Sequence, residues 1–114
     1  MASTYGNLGL VYAEKGEWDR AIEFYQSSLA ITEKMGDWLT SANQYTNLGV
    51  VYLKKDRAEE AKPLLARAYL IFAKVGSPSA KSAASALVRA CGSVEKANAY
   101  LDKLAQQMQQ AQES

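Results

Sequence analysis

Residues 7–12 read NLGLVY and residues 47–52 read NLGVVY, so nearly the same six residues occur twice, forty positions apart. The similarity extends much further when residues 41–80 are aligned on residues 1–40. Identical residues occupy the pairs Ala2/Ala42, Tyr5/Tyr45, Asn7/Asn47, Leu8/Leu48, Gly9/Gly49, Val11/Val51, Tyr12/Tyr52, Lys15/Lys55, Ala21/Ala61, Ile31/Ile71, Lys34/Lys74 and Gly36/Gly76. Self-similarity at a fixed period of this length is typical of solenoids built from supersecondary units. The chain is therefore predicted to stack copies of one small unit.

The first repeat carries the pattern of two helices. One face, traced at ~100° per residue, holds Tyr5, Leu8, Gly9 and Tyr12. Gly16 then breaks the pattern, as a glycine between two helices does. From Trp18 an apolar stripe resumes and ends near Gly36. The first repeat is therefore predicted to be a helical hairpin.

The second repeat predicts helices at roughly residues 38–55 and 57–75. Asp56 takes the turn position that Gly16 holds in the first repeat, and both residue types adopt a left-handed backbone more readily than others. Pro63 falls inside the last of these helices. It should kink this helix or leave one carbonyl unpaired, because proline has no backbone N–H.

The spacing of these residues resembles a known repeat family. The first repeat reads Tyr5-x2-Leu8-Gly9-x2-Tyr12 followed by Ala21-x3-Tyr25, and the second reads Tyr45-x2-Leu48-Gly49-x2-Tyr52 followed by Ala61-x3-Leu65. This resembles the tetratricopeptide repeat, W-x2-L-G-x2-Y followed by A-x3-F, and the forty-residue spacing resembles the class found in kinesin light chains. The small Gly9 and Ala21 would let paired helices approach closely. The resemblance implies an all-α, right-handed solenoid of antiparallel helix pairs.

The third unit departs from the pattern. Ser77 is the expected N-cap of its first helix, with Pro78 at the first helical position. Gly92 should end that helix and Ser93 should cap the next one.

An apolar stripe marks the last helix. It is formed by Val94, Ala97, Leu101, Leu104, Met108 and Ala111. The opposite face is polar, and a solenoid needs a terminal unit with a polar outer surface. We therefore predict three helix pairs, of which the third is degenerate and caps the array. The predicted units are residues 1–40, 41–76 and 77–114.

Composition argues against several functions. Lys and Arg number 13 against 12 Asp and Glu, so the basic excess of a nucleic-acid-binding protein is missing. Histidine is absent, which removes the commonest general base and most zinc sites. No run is apolar and long enough to span a bilayer, no secretory signal is visible, and the single Cys91 suggests a reducing compartment. We expect a cytoplasmic protein that is not an enzyme, without catalytic residues, cofactor or metal, and with no nucleic-acid or membrane partner.

A second set of residues lies opposite the core face of the first helix in each repeat, ~180° away at the helical period. The set is Ser3, Asn7, Leu10 and Glu14 in the first repeat and Asn43, Asn47, Val50 and Lys54 in the second. The same arithmetic gives Ser79, Ala83, Ala86 and Ala90 in the third unit. By the resemblance, these positions line a concave groove that holds a peptide. Asparagine suits such a groove because its amide offers a donor and an acceptor to a peptide backbone.

These positions also have a structural interpretation. The asparagines could hydrogen-bond a neighbouring helix instead of a ligand. Leu10 and Val50 could pack on the preceding helix, and Glu14 and Lys54 could be solvated charges. Both interpretations stay open on the sequence.

The sequence therefore predicts a non-enzymatic scaffold that binds a protein or peptide through this groove. One alternative is a peptide-sensing regulatory domain of a larger protein, in which binding shifts a conformational equilibrium. Another alternative is a homo-oligomerisation module.

The N-terminal end is the expected site of any self-association. One flank of the first helix is small and apolar, with Ala2, Gly6, Leu10 and Ala13, and the same flank in the second repeat holds Ala42, Thr46, Val50 and Leu53. We expect the second set to pack on the preceding helix, near Leu29 and Thr32, and the first set to be open because no helix precedes it. Six acidic and three basic residues give residues 1–40 a net charge of −3. This like charge should keep a homodimer weak.

Overall fold

Six α-helices make up the part of the chain that the computed structural model describes, which is residues 2–113, with side chains for residues 4–111. They are α1 (Ala2–Glu14), α2 (Trp18–Met35), α3 (Trp38–Lys54), α4 (Ala58–Val75), α5 (Ala80–Cys91) and α6 (Val94–Glu113). Within this described part there is no strand, and each helix packs against the next along the chain. The predicted all-α array of repeated helices is confirmed.

The turn between α1 and α2 is repeated between α3 and α4. Gly16 has a φ angle of 77° and Asp56 has one of 60°, so both lie in the left-handed region. One backbone hydrogen bond closes both turns, from Glu17 N–H to the Tyr12 carbonyl at 2.9 Å and from Arg57 N–H to the Tyr52 carbonyl at 2.8 Å. Asp56 takes the position of Gly16 as predicted, in a conformation that costs a non-glycine residue free energy.

The ends of α2 and α4 are also built alike. Asp37 N–H donates to the Thr32 carbonyl at 2.9 Å, and Ser77 N–H donates to the Phe72 carbonyl at 2.8 Å. The same C-terminal turn therefore follows each helix. Asp37 then caps α3, because its carboxylate accepts the N–H of Thr40 at 3.2 Å. The sequence period is thus also a period of backbone hydrogen bonds.

Helices of a pair approach closely at the glycine of each repeat. A Cβ atom placed on Gly9 would lie 2.7 Å from Cδ1 of Tyr25, and one placed on Gly49 would lie 2.5 Å from Cγ of Leu65. Carbon atoms in contact are ordinarily about 3.5–4.0 Å apart. Both Tyr25 and Leu65 are buried. The prediction that small residues permit close helix pairing is confirmed at these two positions.

Two groups of buried side chains form the core. The first core cluster holds Ala21, Tyr25, Leu29, Ala42, Tyr45, Leu48, Val51, Ala68, Phe72 and Ala83. The second core cluster holds Ala61, Leu65, Ala66, Ala86, Leu87, Ala90 and Ala97. Between α2 and α3 the core is partly polar, since the Ser41 hydroxyl donates to the Thr32 hydroxyl at 2.7 Å and Thr32 donates to the Leu29 carbonyl at 3.2 Å. These hydrogen bonds allow the two hydroxyls to be buried.

Pro63 lies inside α4, which continues from Ala58 to Val75 without interruption. The carbonyl of Glu59, four residues earlier, therefore has no helical N–H donor. The predicted loss of one helical hydrogen bond therefore applies at Glu59.

The third pair begins later than predicted. Pro78 and Ser79 form a turn, in which Ser79 N–H donates to the Ser77 hydroxyl at 3.2 Å, and α5 begins at Ala80. A helix start at Pro78 is therefore wrong by two residues, because the Ser77 side chain stabilises a local turn in competition with the helix. The predicted cap of α6 is confirmed, since the Ser93 hydroxyl accepts the N–H of Lys96 at 3.1 Å.

The apolar stripe of α6 is only partly covered. Ala97 is buried, and Leu101 and Leu104 pack against the second core cluster. Val94 and Met108 are 61% and 50% exposed, respectively. The stripe therefore does not pack along its whole length as the pattern suggests, and the second half of α6 borders a cleft.

The small flank of α1 is covered at Gly6 and Ala13, whereas Leu10 is 50% exposed and the side chain of Ala2 lies outside the described residues. A Cβ atom on Gly6 would lie 2.9 Å from Nε2 of Gln44 in α3, and Ala13 packs against the first core cluster. In α3, Val50 and Leu53 pack against the second core cluster, while Ala42 belongs to the first core cluster together with Leu29 of α2. The predicted open flank of α1 is therefore wrong at Gly6 and Ala13, but Leu10 is open as predicted. Sequence periodicity specifies the direction of a side chain from its helix axis, but not which neighbouring helix lies there.

Candidate functional site

The residues predicted to bind a ligand occupy one side of α1 and α3, which we call the asparagine face. Its exposed members are Asn7, Leu10, Glu14, Asn43 and Lys54, and its half-buried members are Asn47 and Val50. The side chain of Ser3, which the sequence also assigns to this face, lies outside the described residues. The asparagine face is therefore largely accessible to a partner.

The three asparagine side chains make no hydrogen bond with the part of the protein that the structure describes. Among the residues that the structure describes, none lies within hydrogen-bonding distance of the amides of Asn7, Asn43 or Asn47. Polar side chains that serve the fold are normally paired when they are covered. Asn47 is half-buried, yet its donor and acceptor both stay available. The binding role of the asparagines stays a prediction, for which their amides are available.

Leu10 and Val50 differ, although they occupy equivalent positions in the two repeats. Leu10 is 50% exposed. Val50 is half-buried and packs against the second core cluster. The structural interpretation therefore applies in part to Val50, with the following pair as its neighbour, while Leu10 offers an uncovered apolar surface.

The asparagine face does not continue into the third unit in the predicted way. Ala83 is fully buried, and Ala86 and Ala90 are 6% and 8% exposed. They belong to the two core clusters, so their assignment to a groove is wrong. The physical reason is that the small residues of α5 allow α4 to pack closely against them, which buries this side of α5.

Sequence reasoning missed Gln44, which lies between α1 and α3. It is only 8% exposed and its Nε2 atom fills the space beside Gly6. Its buried Oε1 atom has no hydrogen-bond partner among the described residues. The absence of a side chain at Gly6, where the second repeat has Thr46, is the sequence signal that a side chain from elsewhere occupies this space.

Sequence reasoning also missed a pocket of about 370 Å³ away from the asparagine face, which we call the α4–α6 pocket. Its apolar wall comes from α4 and α6, its rim from the start of α3, and its polar groups from α2, α3 and α4. These residues are Leu70, Ile71, Leu104 and Met108, then Trp38, then Glu33, Tyr45 and Arg67. At the forty-residue period the exposed Trp38 aligns with Pro78 and the exposed Arg67 aligns with Ser27, and these departures from the repeat are the signal that could have indicated the pocket.

The chemistry of the asparagine face is that of hydrogen bonding. Tyr25, which packs beside Gly9 on the core side of α1, has its pKa raised by burial and secondarily by the charge of Glu14, so its hydroxyl stays protonated at neutral pH. No group of three metal-ligating side chains comes together in the part of the chain that the structure describes. None of the helices described is long and apolar enough to cross a membrane. Among the described residues, the groups that the asparagine face offers for hydrogen bonding are the amides of Asn7, Asn43 and Asn47.

A family model described as tetratricopeptide repeat matches residues 1–74. The match covers α1, α2, α3 and nearly all of α4, which are the helices that show the repeated turns and glycine contacts. A comparison with curated proteins finds no match.

Proposed function

Because this chain belongs to the tetratricopeptide repeat family, we propose that it is a non-enzymatic scaffold that binds a peptide segment of a partner protein. Repeats of this family generally mediate protein–protein interactions and are not catalytic. The proposed binding surface is the asparagine face. The lone Cys91 and a net charge of +1 favour a cytoplasmic protein without a nucleic-acid or membrane partner.

The available amides of Asn7, Asn43 and Asn47 carry this proposal. A peptide in an extended or helical form has backbone N–H and C=O groups that must be satisfied when it leaves water. An asparagine amide can donate to one and accept from the other. Leu10, half exposed between them, would add apolar contact.

The test begins with a peptide array screened with the whole chain, and the tightest peptide is then titrated in solution. Changing both Asn7 and Asn47 to Ala should weaken its binding by about 1–3 kcal/mol, or roughly 5- to 150-fold in Kd. The melting temperature should stay within error of the wild-type value, because these amides bond nothing within the described protein. Asn98→Ala, an exposed asparagine on α6, is the matched control.

Two results would contradict the proposal. A double variant that loses stability without specific loss of binding would make the asparagines structural. An equal loss of binding in Asn98→Ala would show that the peptide lies on another surface.

A second candidate function is self-association through the first helix pair, but through other residues than the flank predicted from sequence. Tyr5 is half-buried, whereas its counterpart Tyr45 is buried against α2. Phe24 stacks on Tyr12 with ring centroids 5.3 Å apart, and on Tyr5 at 6.3 Å. These rings form a partly exposed aromatic surface, of the kind that partners cover in homodimers.

Analytical ultracentrifugation tests this candidate. Tyr5→Glu should shift a weak homodimer to monomer, while the neighbouring exposed variant Thr4→Glu adds the same charge and should leave the homodimer in place. A monomer at every concentration for the wild-type chain would remove this candidate.

A further inference from the structure

The α4–α6 pocket has the size and lining of a site for one large side chain. Its volume of about 370 Å³ lies between the apolar wall formed by Leu70, Ile71 and Leu104 and the half-exposed side chains of Trp38 and Met108. Pockets that bind ligands are mostly apolar with a few oriented polar groups. Half-exposed tryptophan and methionine side chains are also typical of the anchor points of protein interfaces.

Three polar side chains at the wall of this pocket are connected by hydrogen bonds. The Tyr45 hydroxyl donates to Oε1 of Glu33 at 2.7 Å, and Nη1 of Arg67 donates to the Tyr45 hydroxyl at 3.4 Å. The Arg67 guanidinium also lies over the Tyr45 ring, 5.7 Å from its centroid. Burial, and then the bond to Glu33, raise the pKa of Tyr45, so the tyrosine remains a donor to Glu33 at neutral pH.

Arg67 keeps unused capacity for an anion. Glu33 already accepts from Tyr45, and no carboxylate among the described residues lies within ion-pair distance of Arg67. A guanidinium presents several donors that match a carboxylate.

The pocket continues into an open cleft along α4 and α6. Leu70 and Met108 line both, and the cleft adds Lys74, which makes no ion pair among the described residues. Arg67 and Lys74 are seven residues apart on α4, which places them about 10 Å apart along the helix axis. Three residues of extended chain also span about 10 Å. Carboxylates near the two ends of a short acidic peptide can therefore come within reach of the long side chains of these two cations.

We propose that the α4–α6 pocket binds an acidic peptide segment of a partner protein, with one large apolar side chain in the pocket and flanking carboxylates on Arg67 and Lys74. This site is separate from the asparagine face, because the two surfaces share no residue. A chain with both would bind a partner at two positions, or two different partners.

The probe is the capped tetrapeptide acetyl-EAFE-amide, titrated into the isotopically labelled whole chain and followed by NMR. The chain has two tryptophans, and their indole N–H signals act as reporters. Trp38, at the pocket, should shift and saturate, whereas Trp18, which lies beside Lys55 in another part of the fold, should not. The peptides KAFK and EAAE, which reverse the charge and remove the apolar anchor, should each bind at least about 5-fold more weakly.

Variants locate the binding. Arg67→Gln should weaken EAFE binding by at least about 5-fold, while Arg20→Gln, an exposed arginine on α2, should not. Met108→Glu places a carboxylate at the mouth of the pocket and should weaken binding as well. Both Arg67 and Met108 are well exposed, so these variants should keep the wild-type spectrum elsewhere.

Several outcomes would overturn the proposal. No shift of Trp38 with EAFE, equal binding of KAFK, or full binding by Arg67→Gln would each do so. The proposal is independent of the asparagine face, because the double Asn7→Ala, Asn47→Ala variant should bind EAFE like the wild type. Loss of EAFE binding in that variant would show that the peptide binds at the asparagine face, and it would overturn the proposal that it binds in the α4–α6 pocket.

Discussion

Gly49→Ala tests how closely the helices of a pair are packed. The added methyl group would lie 2.5 Å from Cγ of Leu65, whose side chain is fully buried. This is more than 1 Å shorter than an ordinary carbon contact of about 3.5–4.0 Å. Neither the new methyl group nor the Leu65 side chain can move aside without displacing other residues of the core. We therefore expect an overpacking cost of about 1–3 kcal/mol.

Gly6→Ala is the matched control, because it makes the same chemical change in a helix of the same type. There the new methyl group would meet only the end of the Gln44 side chain, at 2.9 Å, and that amide can rotate. In both variants alanine gains about 1 kcal/mol of helix propensity over glycine. This gain cancels in the comparison, so the difference between the two variants should equal the overpacking cost, about 1–3 kcal/mol.

The free energies of unfolding are measured by urea titration followed by far-ultraviolet circular dichroism, with the slope checked for two-state behaviour. Repeating Gly49→Ala in a Leu65→Ala background removes the obstructing side chain. There the substitution should stabilise the fold by about 1 kcal/mol, as helix propensity alone predicts. Equal effects of Gly49→Ala and Gly6→Ala, or the same effect of Gly49→Ala in both backgrounds, would refute the close-packing argument.

Three further predictions concern the turn, the buried amide and the ion pair between the repeats. Asp56→Gly should raise the free energy of unfolding by about 1–2 kcal/mol, because a left-handed backbone at φ 60° costs a non-glycine residue that much. The reverse variant, Gly16→Asp, should lower the free energy of unfolding by a similar amount. Urea midpoints that move in the same direction in both variants would contradict the turn argument. Gln44→Met should raise the free energy of unfolding by about 1–3 kcal/mol, because the Oε1 atom of Gln44 is buried without a hydrogen-bond donor among the described residues. A urea midpoint lower than that of the wild type would show that the amide oxygen accepts a hydrogen bond. The hydrogen bond and charge of Lys55 hold the pKa of Asp19 below 3.8, so this stabilisation is present above that pH and is lost as the pH falls below it. In Lys55→Met the pKa of Asp19, followed by NMR of its carboxyl carbon, should rise towards 3.8, and no change would exclude the pair in solution.

Much of the architecture could be predicted from local sequence. The turn at Asp56 follows from its alignment with Gly16, and the cap of α6 follows from the order Gly92-Ser93. These features depend on hydrogen bonds between residues a few positions apart. The start of α5 could not be predicted in the same way, because Ser77 can stabilise either a helix or a turn.

The asparagine face is a surface that the sequence indicated in two repeats, while its extension to the third unit is contradicted by the structure. The equivalent positions of Asn7 and Asn47 indicated one surface, and the two side chains are accessible with available amides. Extending the same arithmetic to Ala83 and Ala86 failed, because both are buried. A periodic pattern gives the direction of a side chain only while the helices keep the same relative arrangement, and the third pair does not keep it.

By itself, the sequence determined the repeat, its helices and the glycines at which they meet, because periodicity, turn chemistry and side-chain size act over short distances along the chain. Only the tertiary structure decided which helix covers each flank, as with Ala13 and Val50. It also brought together Glu33, Tyr45 and Arg67 with Met108 of α6. These residues are far apart in the sequence and come from four helices, and no local pattern specifies the distances between their side chains. Such distances are set by how the helices pack around the core.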